Sequence, residues 1–186
     1  PVAPCAVGET MRQRFYRFTE KHVKAERQAF IVCPLVEESE KLDLNAATQL
    51  CRRLQEDVFP HYQVELLHGK MRPAQKNDIM QRFSAGKIQI LVSTTVIEVG
   101  INVPNATIMV VENAERFGLS QLHQIRGRVG RGSEKSYCIL FNGSDSPQSK
   151  ARMDIMTATS DGFEIAKKDL ELRGPGDFLG TRQHGL

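Results

Sequence analysis

The stretch Ile88-Gln-Ile-Leu-Val-Ser-Thr-Thr95 decides the fold class of this chain. Its first part, Ile88–Val92, is short, largely apolar and rich in β-branched residues, as expected of a strand with both faces buried. Strands of that kind belong to parallel sheets, because helices cover both faces of such a sheet. Hydroxyl side chains follow at once, where the strand is predicted to end.

The same pattern recurs along the chain and alternates with amphipathic helical patterns. Further strands are predicted at Val2–Val7, Phe30–Cys33, Val64–Leu67, Ile108–Val111 and Tyr137–Phe141. Helices are predicted at Met11–His22, at Ala47–Leu54 with Asn45 as N-cap, from Pro73 to Gly86 and at Leu122–Val129. This alternation predicts an α/β domain with a parallel sheet, in which ligands bind at the carboxyl ends of the strands.

The pattern changes after the last predicted strand. The polar segment Asn142–Gln148 predicts a boundary, which we place between residues 145 and 146. Two helices are predicted beyond it, one at Pro147–Ala158 and one that begins at Asp161. We therefore expect residues 1–145 to form the α/β domain and residues 146–186 to form a small helical hairpin followed by a loop.

Bulk composition limits the partners and the compartment. The 186 residues carry a formal net charge of +3, which permits an anionic partner without requiring one. The 4 cysteines form no Cys-x-x-Cys pair, and no apolar run reaches the ~20 residues of a membrane span. We expect reduced thiols, no membrane association and a cytoplasmic location. The chain opens at Pro1 rather than Met, so we expect it to be a piece of a longer polypeptide.

The strongest chemical signal is Gln124-Ile-Arg-Gly-Arg-Val-Gly-Arg131. Arg128 and Arg131 lie at the end of a predicted helix, and a guanidinium suits bidentate contact with phosphate. Gly127 and Gly130 let the backbone pass close to a ligand. Two arginines on a γ-phosphate would stabilise the charge that develops in phosphoryl transfer. The alternative is a solvated basic helix end, which would not need the glycines and Gln124 at fixed offsets.

The segment after the strand quoted first offers polar groups to a ligand. Ser93, Thr94 and Thr95 present hydroxyls where a nucleic-acid backbone could lie. Gly100 permits a tight turn, and Asn102 can direct a polar side chain into the cleft. The alternative is a strand-to-helix turn in which serine and threonine only cap the helix.

A second polar segment, Leu67-His-Gly-Lys-Met71, also begins at a predicted strand end. We expect His68 and Gly69 to contact nucleic acid, and a plain turn is the alternative for this lone histidine. No carboxylate or second ligand is spaced to complete a metal site with His68, so no metal site is predicted.

What the sequence lacks is equally informative. It contains no Gly-x-x-x-x-Gly-Lys-Ser/Thr loop to hold phosphates and no acidic box to hold Mg²⁺. Arginines without a phosphate cradle cannot turn over ATP alone. We therefore expect ATP and Mg²⁺ to be bound mainly by a domain that this sequence does not contain, and we expect no ATPase activity from this chain by itself.

The two central motifs resemble motifs V and VI of the second RecA-like motor domain of superfamily-two helicases. The resemblance narrows to the bacterial RecG family of ATP-dependent, replication-fork-remodelling DNA helicases through four stretches: Val32–Glu40, Thr94–Pro104, Ala114–Gln124 and Arg173–Gln183. It implies a RecA-like, P-loop-NTPase-type domain that lacks its own P-loop. It also implies a role in recombination and repair on branched or forked DNA, together with the first RecA-like domain of the same polypeptide.

The resemblance assigns roles to residues of the two motifs. Gln124, Arg128 and Arg131 would face the nucleotide, and Arg131 is the expected arginine finger. Gly100 and Asn102 would approach the ribose and phosphates. The family more often has Asp at position 102, so we expect this contact to be weaker here or to pass through water.

The hairpin and the tail, by the same resemblance, would convert ATP-driven domain movement into translocation along the duplex. On the sequence alone, Phe178 and Leu179 could instead simply tuck the tail onto the domain. The tail residues with the implied transmission role are Arg173, Gly180, Thr181, Arg182 and Gln183.

Three other functions are kept as alternatives. A transcription-repair coupling translocase has a similar hairpin, but acidic residues are expected there in place of Thr181-Arg182. A passive nucleic-acid-binding domain would not need both Arg128 and Arg131 with their glycines. A small-molecule enzyme with a nucleotide cofactor would need a glycine-rich loop after the first strand, which Ala3–Gly8 does not supply.

Overall fold

The computed structural model describes residues 2–7, 11–94, 103–128 and 135–158, with residues 2–7 as backbone alone. Its strands are β1 (Val2–Val7), β2 (Gln28–Val32), β3 (Val64–Leu67), β4 (Ile90–Ser93), β5 (Ala106–Val111) and β6 (Ser136–Phe141). They form one six-stranded sheet in the order β1-β6-β5-β2-β4-β3. All paired strands are parallel, which confirms the predicted α/β class.

Helices separate the strands along the described chain. They are α1 (Arg12–Lys24), α2 (Glu40–Arg53), α3 (Pro73–Ser84), α4 (Leu119–Arg126) and α5 (Pro147–Ala158). Short 3₁₀ turns at Glu37–Ser39 and Ala114–Arg116 precede α2 and α4, and a π-helical turn at Leu54–Val58 extends α2. None of the described helices is long and apolar enough to cross a bilayer.

The sheet separates two apolar cores, as expected when both of its faces are covered. Strand β2 shows the alternation, because Ala29 and Ile31 belong to one core while Phe30 and Val32 belong to the other. Helices α1 and α2 close the first core, and helices α3, α4 and α5 close the second. Because the paired strands are all parallel, their carboxyl ends lie along one edge of the sheet.

Strand boundaries differ from prediction by about two residues. Strand β2 begins at Gln28 rather than Phe30, because the buried Gln28 amide donates to the carbonyls of Phe83 and Ile88 at 2.6 and 2.8 Å. A polar residue therefore enters the core with its hydrogen bonds satisfied. Strand β4 begins at Ile90 rather than Ile88 and includes Ser93.

The predicted N-cap at Asn45 is wrong, because α2 begins at Glu40. The carboxylate of Asp43 accepts hydrogen bonds from Val36 N at 2.9 Å and from Ser39 Oγ at 2.9 Å. These bonds hold the preceding loop against the first helical turn. Helix α2 therefore begins before Ala47, where the apolar helical spacing of the sequence starts. The predicted start of α3 at Pro73, after Arg72 in an extended conformation, is confirmed.

Helix α5 has the predicted bounds and packs into the second core. Met153 and Met156 are buried there, while Ile155 is partly buried against the same cluster. The boundary between residues 145 and 146 stays a prediction. The second helix of the predicted hairpin and the loop after it lie outside the described residues.

Candidate nucleotide and nucleic-acid site

Backbone hydrogen bonds hold the carboxyl ends of four strands together. Cys33 N, just after β2, donates to Ser93 O at 2.8 Å, and Thr94 N donates to Leu67 O at 3.1 Å. Glu112 N, just after β5, donates to Val32 O at 2.8 Å. The loops that follow β2, β3, β4 and β5 therefore leave the sheet at one edge, which is where parallel sheets bind ligands.

Two of the three predicted hydroxyl residues lie at this edge. Ser93 is fully buried and Thr94 is 8% exposed, and Thr95 lies outside the described residues. The Thr94 Oγ1 atom has no hydrogen-bond partner within the described part of the chain. A buried hydroxyl without a partner is costly, so an added acceptor or donor at this edge would relieve that cost.

His68 and Gly69 follow β3 beside Thr94. Burial, and then the positive charges of Lys70 and Lys76, lower the pKa of His68, so the ring is neutral at physiological pH. Lys70 N donates to Nδ1 of this ring at 3.3 Å, which leaves the proton on Nε2 as a hydrogen-bond donor. Gly69 is exposed in the turn. The structure thus brings the His68 and Thr94 segments together.

The predicted nucleotide motif, residues 124–131, begins on α4. Gln124 and Gly127 are exposed and Arg128 is half-buried at the end of the helix, with Gly127 N bonded to His123 O at 3.0 Å. No ion pair or side-chain hydrogen bond joins the Arg128 guanidinium to another described residue. This cation is therefore available to an anion outside the described chain.

Among the described residues, neither the backbone angle nor the space at Gly127 requires glycine. Its backbone φ is −67°, which any residue adopts, and among the described residues an added Cβ would meet the carbonyl oxygens of Gln124 and His123, both at 3.5 Å. These distances are ordinary van der Waals contacts. The predicted role of Gly127, to let a ligand approach the backbone, stays a prediction.

Several predicted site residues lie outside the described part of the chain, and their roles stay predictions. In the nucleotide and strand-end motifs these are Thr95, Gly100, Asn102, Gly130 and Arg131. In the tail they are Arg173, Gly180, Thr181, Arg182 and Gln183.

Two features near the site escaped the sequence reasoning. Arg126, within the arginine motif, is only 6% exposed, and its Nη1 donates to the carbonyl of Met156. Arg116 forms an ion pair with Asp43, across the loops that follow β2 and β5. The only available signal for Arg126 was its helical spacing from the buried Leu122.

The described ranges contain neither a metal-binding cluster nor a disulfide. No group of three His, Cys, Asp or Glu side chains there is arranged to hold a metal ion. Cys33, Cys51 and Cys138 are free thiols, and burial raises the pKa of Cys138 to about 12. Such a thiol is inert at physiological pH.

Comparison with known families and proteins gives consistent matches. The model of the family described as helicase conserved C-terminal domain matches residues 11–133, and that of ATP-dependent DNA helicase RecG, domain 3, C-terminal, matches residues 159–186. The chain is 54% identical over 180 residues to the ATP-dependent DNA helicase RecG of Bacillus subtilis (strain 168). That alignment covers 97% of this chain and 26% of the relative.

A second relative extends the match to the whole chain. The ATP-dependent DNA helicase RecG of Synechocystis sp. is 50% identical over 186 residues, which is 100% of this chain and 22% of the relative. The chain thus spans about a quarter of the length of the curated relatives that it matches.

Solved structures agree with these matches. A structure of RecG bound to a three-way DNA junction superposes with a TM-score of 0.78 at 43% identity, over 100% of this chain and 23% of that one. Domain 2 of the DEAD-box helicase Mss116p, bound to an RNA duplex, superposes with a TM-score of 0.62 at 19% identity, over 91% of this chain and 68% of that one. The second likeness concerns the fold alone.

Proposed function

The chain belongs to the family of helicase conserved C-terminal domains, and on that premise we propose that it is the second motor domain of an ATP-dependent DNA helicase. The parent protein would remodel stalled replication forks and other branched DNA during recombination and repair. Its relatives are ATP-dependent DNA helicases, and one similar structure holds a three-way DNA junction. The domain would work in the cytoplasm with the first RecA-like domain of the same polypeptide.

The ATP site would be shared between these two motor domains. The absent first domain would bind ATP and Mg²⁺, and Gln124, Arg128 and Arg131 would close over the γ-phosphate, with Arg131 as the arginine finger. The observation that carries this proposal is Arg128, a half-buried cation at the end of α4 whose guanidinium pairs with no described residue. Gly127 and Gly130 would admit the nucleotide, and Gly100 and Asn102 would approach the ribose and phosphates.

DNA would lie across the carboxyl ends of β3 and β4. The unpartnered hydroxyl of Thr94 and the Nε2 proton of neutral His68 are donors for phosphate oxygens, which accept most protein–DNA hydrogen bonds. Ser93, Thr95 and Gly69 would complete the contact. Such contacts position the duplex without reading its sequence.

The region 146–186 would relay movement to DNA as a helical hairpin and transmission loop. Helix α5, its first helix, is already packed against the motor core, so a displacement of either would reach the other. Arg173, Gly180, Thr181, Arg182 and Gln183 would belong to the transmission loop.

The deciding experiment uses the full-length protein and a forked DNA substrate. Arg131→Ala should lower DNA-stimulated ATP hydrolysis by about 10³–10⁵-fold, the usual contribution of an arginine finger, while DNA binding stays nearly unchanged. Arg52→Ala, at an exposed arginine near the end of α2, is the matched control and should keep full activity. Normal turnover by Arg131→Ala would exclude it as a finger.

Two further measurements separate the parts of the proposal. The isolated chain should show no ATP hydrolysis with or without DNA, and clear turnover would contradict a shared site. Arg182→Ala or Gln183→Ala should spare ATP hydrolysis and reduce fork unwinding. An equal fall in both activities would show that the tail is not a separate transmission element.

A further inference from the structure

Arg126 is a buried cation in the middle of the nucleotide motif. Its side chain lies in the second core beside Cys138, and burial lowers the pKa of the guanidinium. None of the carboxylates among the described residues forms an ion pair with it. Burying a charge costs free energy unless hydrogen bonds compensate it. The acceptors of those hydrogen bonds therefore identify the elements that Arg126 joins.

The compensating groups belong to α4 and α5. Nη1 of Arg126 donates to the backbone carbonyl of Met156, and Nη2 donates to Nδ1 of His123 at 3.3 Å. Met156 lies in the last described turn of α5, and helix carbonyls carry the negative end of the peptide dipole. Arg126 therefore ties the last described turn of α5 to α4.

A second bond joins the same two helices in the opposite sense. Arg152 of α5 donates to the carbonyl of Phe117, which stands just before the first turn of α4. Each helix thus offers one arginine, Arg126 to a backbone carbonyl of α5 and Arg152 to a backbone carbonyl just before α4. The pair is tied at two separated points, which resists both sliding and rotation of one helix on the other.

Arg126 is also connected through the backbone to Arg128, the residue proposed to face the nucleotide. Gly127 N and Arg128 N donate to the carbonyls of His123 and Ile125, each at 3.0 Å, so the backbone on either side of Arg126 is held in the final turn of α4. A shift of the end of α5 that carried Arg126 with it would move Arg128 as well.

We propose that Arg126 is a positioning residue that sets the place of Arg128 according to the place of α5. The nucleotide contact and helix α5 would then move together, and Arg126 itself bonds to Met156 on α5 and to His123 on α4. This inference rests on the proposed function, because it needs a nucleotide at Arg128 and a working stroke in region 146–186.

The test is the coupling ratio of the full-length protein, measured as base pairs of forked DNA unwound per ATP hydrolysed. Arg126→Met keeps an unbranched apolar stem in the core but removes the charge and the donors to Met156 and His123. We expect it to lower the coupling ratio about tenfold, a typical size for coupling between two sites. Arg126→Lys keeps the charge but cannot reach both acceptors as a fork, so it should lie between Arg126→Met and the unmodified protein.

Arg12→Met is the matched control. Arg12 is also a largely buried arginine, bonded to Glu112 at 2.8 Å, but it lies in the layer of α1 on the other face of the sheet. Its loss should lower the melting temperature and leave the coupling ratio unchanged. A purely structural Arg126 would behave in the same way as Arg12.

An unchanged coupling ratio in the Arg126 variants, with or without a lower melting temperature, would overturn the proposal. If Arg126→Met fails to fold, Arg126→Lys supplies the same comparison. The outcome is separable from the proposed function itself, because loss of hydrolysis in Arg131→Ala tests the shared ATP site whatever Arg126 does.

Discussion

Asp43 and Arg116 form a two-point ion pair across the carboxyl edge of the sheet. Arg116 Nη1 lies 2.8 Å from Asp43 Oδ1, and Nη2 lies 3.0 Å from Oδ2. The same carboxylate accepts from Val36 N and Ser39 Oγ. One buried side chain of α2 therefore holds the loop after β2 against the turn that leads into α4.

Breaking this pair should destabilise the domain. We expect Asp43→Ala to lower the free energy of unfolding by about 2 kcal/mol, because it leaves Arg116 and Val36 N without their acceptor. The value is below that of a fully buried pair, since the Arg116 side chain is 33% exposed. Urea unfolding of the chain measures it.

The exposed pair of Lys70 and Glu40 provides the control for that measurement. Its nitrogen and oxygen are 2.6 Å apart, but the side chains are 68% and 36% exposed. Glu40→Ala should therefore cost less than about 1 kcal/mol. Equal losses of unfolding free energy in Asp43→Ala and Glu40→Ala would show that burial of Asp43 does not strengthen its ion pair.

The same carboxylate predicts a pH dependence. Burial alone would raise the pKa of Asp43, but the hydrogen bonds from Arg116, Val36 and Ser39 outweigh it and hold the pKa below its ordinary value. A lowered pKa adds stability that is present above the ordinary aspartate pKa, about pH 4, and is lost as the pH falls through the native-state pKa.

Asp43→Asn isolates this contribution. The stability difference between the unmodified chain and Asp43→Asn should be largest at neutral pH and should shrink below about pH 4. The pKa of Glu65 is also lowered, chiefly by hydrogen bonds from Arg82, but Glu65 is present in both proteins and cancels in the difference. A constant difference from pH 7 to about pH 2.5 would contradict the assignment.

The hydroxyl of Thr94 should matter for DNA and not for folding. Thr94→Val removes a buried, unpartnered hydroxyl without changing side-chain shape, so stability should stay equal or rise. In the full-length protein, DNA affinity should fall about tenfold through the lost phosphate bond. The slope of affinity against salt should not change, because no charge is removed.

Thr107→Val is the matched control for Thr94→Val. Thr107 also carries a buried hydroxyl without a partner among the described residues, but it lies near the amino end of β5, away from the proposed DNA path. Its DNA affinity should equal that of the unmodified protein. An equal loss in both variants would remove Thr94 from the DNA contact.

Helix α5 should unfold together with the motor core. Met156 is fully buried in the core that α3 and α4 share, so Met156→Ala should lower the free energy of unfolding by about 2–5 kcal/mol. Met80→Ala, at a partly buried methionine of α3 on the same core, should cost less than half as much. No global destabilisation by Met156→Ala would mean that α5 folds as a separate unit.

The local pattern predicted most of the fold. Apolar runs and helical spacing located all the strands and helices of the described chain, and Pro73 marked the start of α3 correctly. Errors arose where a polar side chain is satisfied by distant groups. Gln28 extends β2 by bonding to carbonyls 55 and 60 residues away, and no window of neighbouring sequence contains that information.

The residues of the candidate site were predicted from local sequence, but their spatial relation was not. Gln124 and Arg128 were predicted from residue types at fixed spacing, since the chemistry of a guanidinium is a local property. His68 and Thr94 were predicted separately, and only the hydrogen bond between Thr94 N and Leu67 O shows that their segments are neighbours.

By itself the sequence determined the α/β class and the lack of a phosphate-binding glycine loop, and it predicted phosphate-directed arginines, because periodicity and motif spacing are properties of adjacent residues. The tertiary structure alone decided which distant side chains pair with each other. Asp43 meets Arg116 from 73 residues away, and Arg126 finds its acceptor 30 residues along, at the end of another helix. Which charged side chains become buried depends on how the helices pack, and that packing brings together groups that the chain keeps far apart.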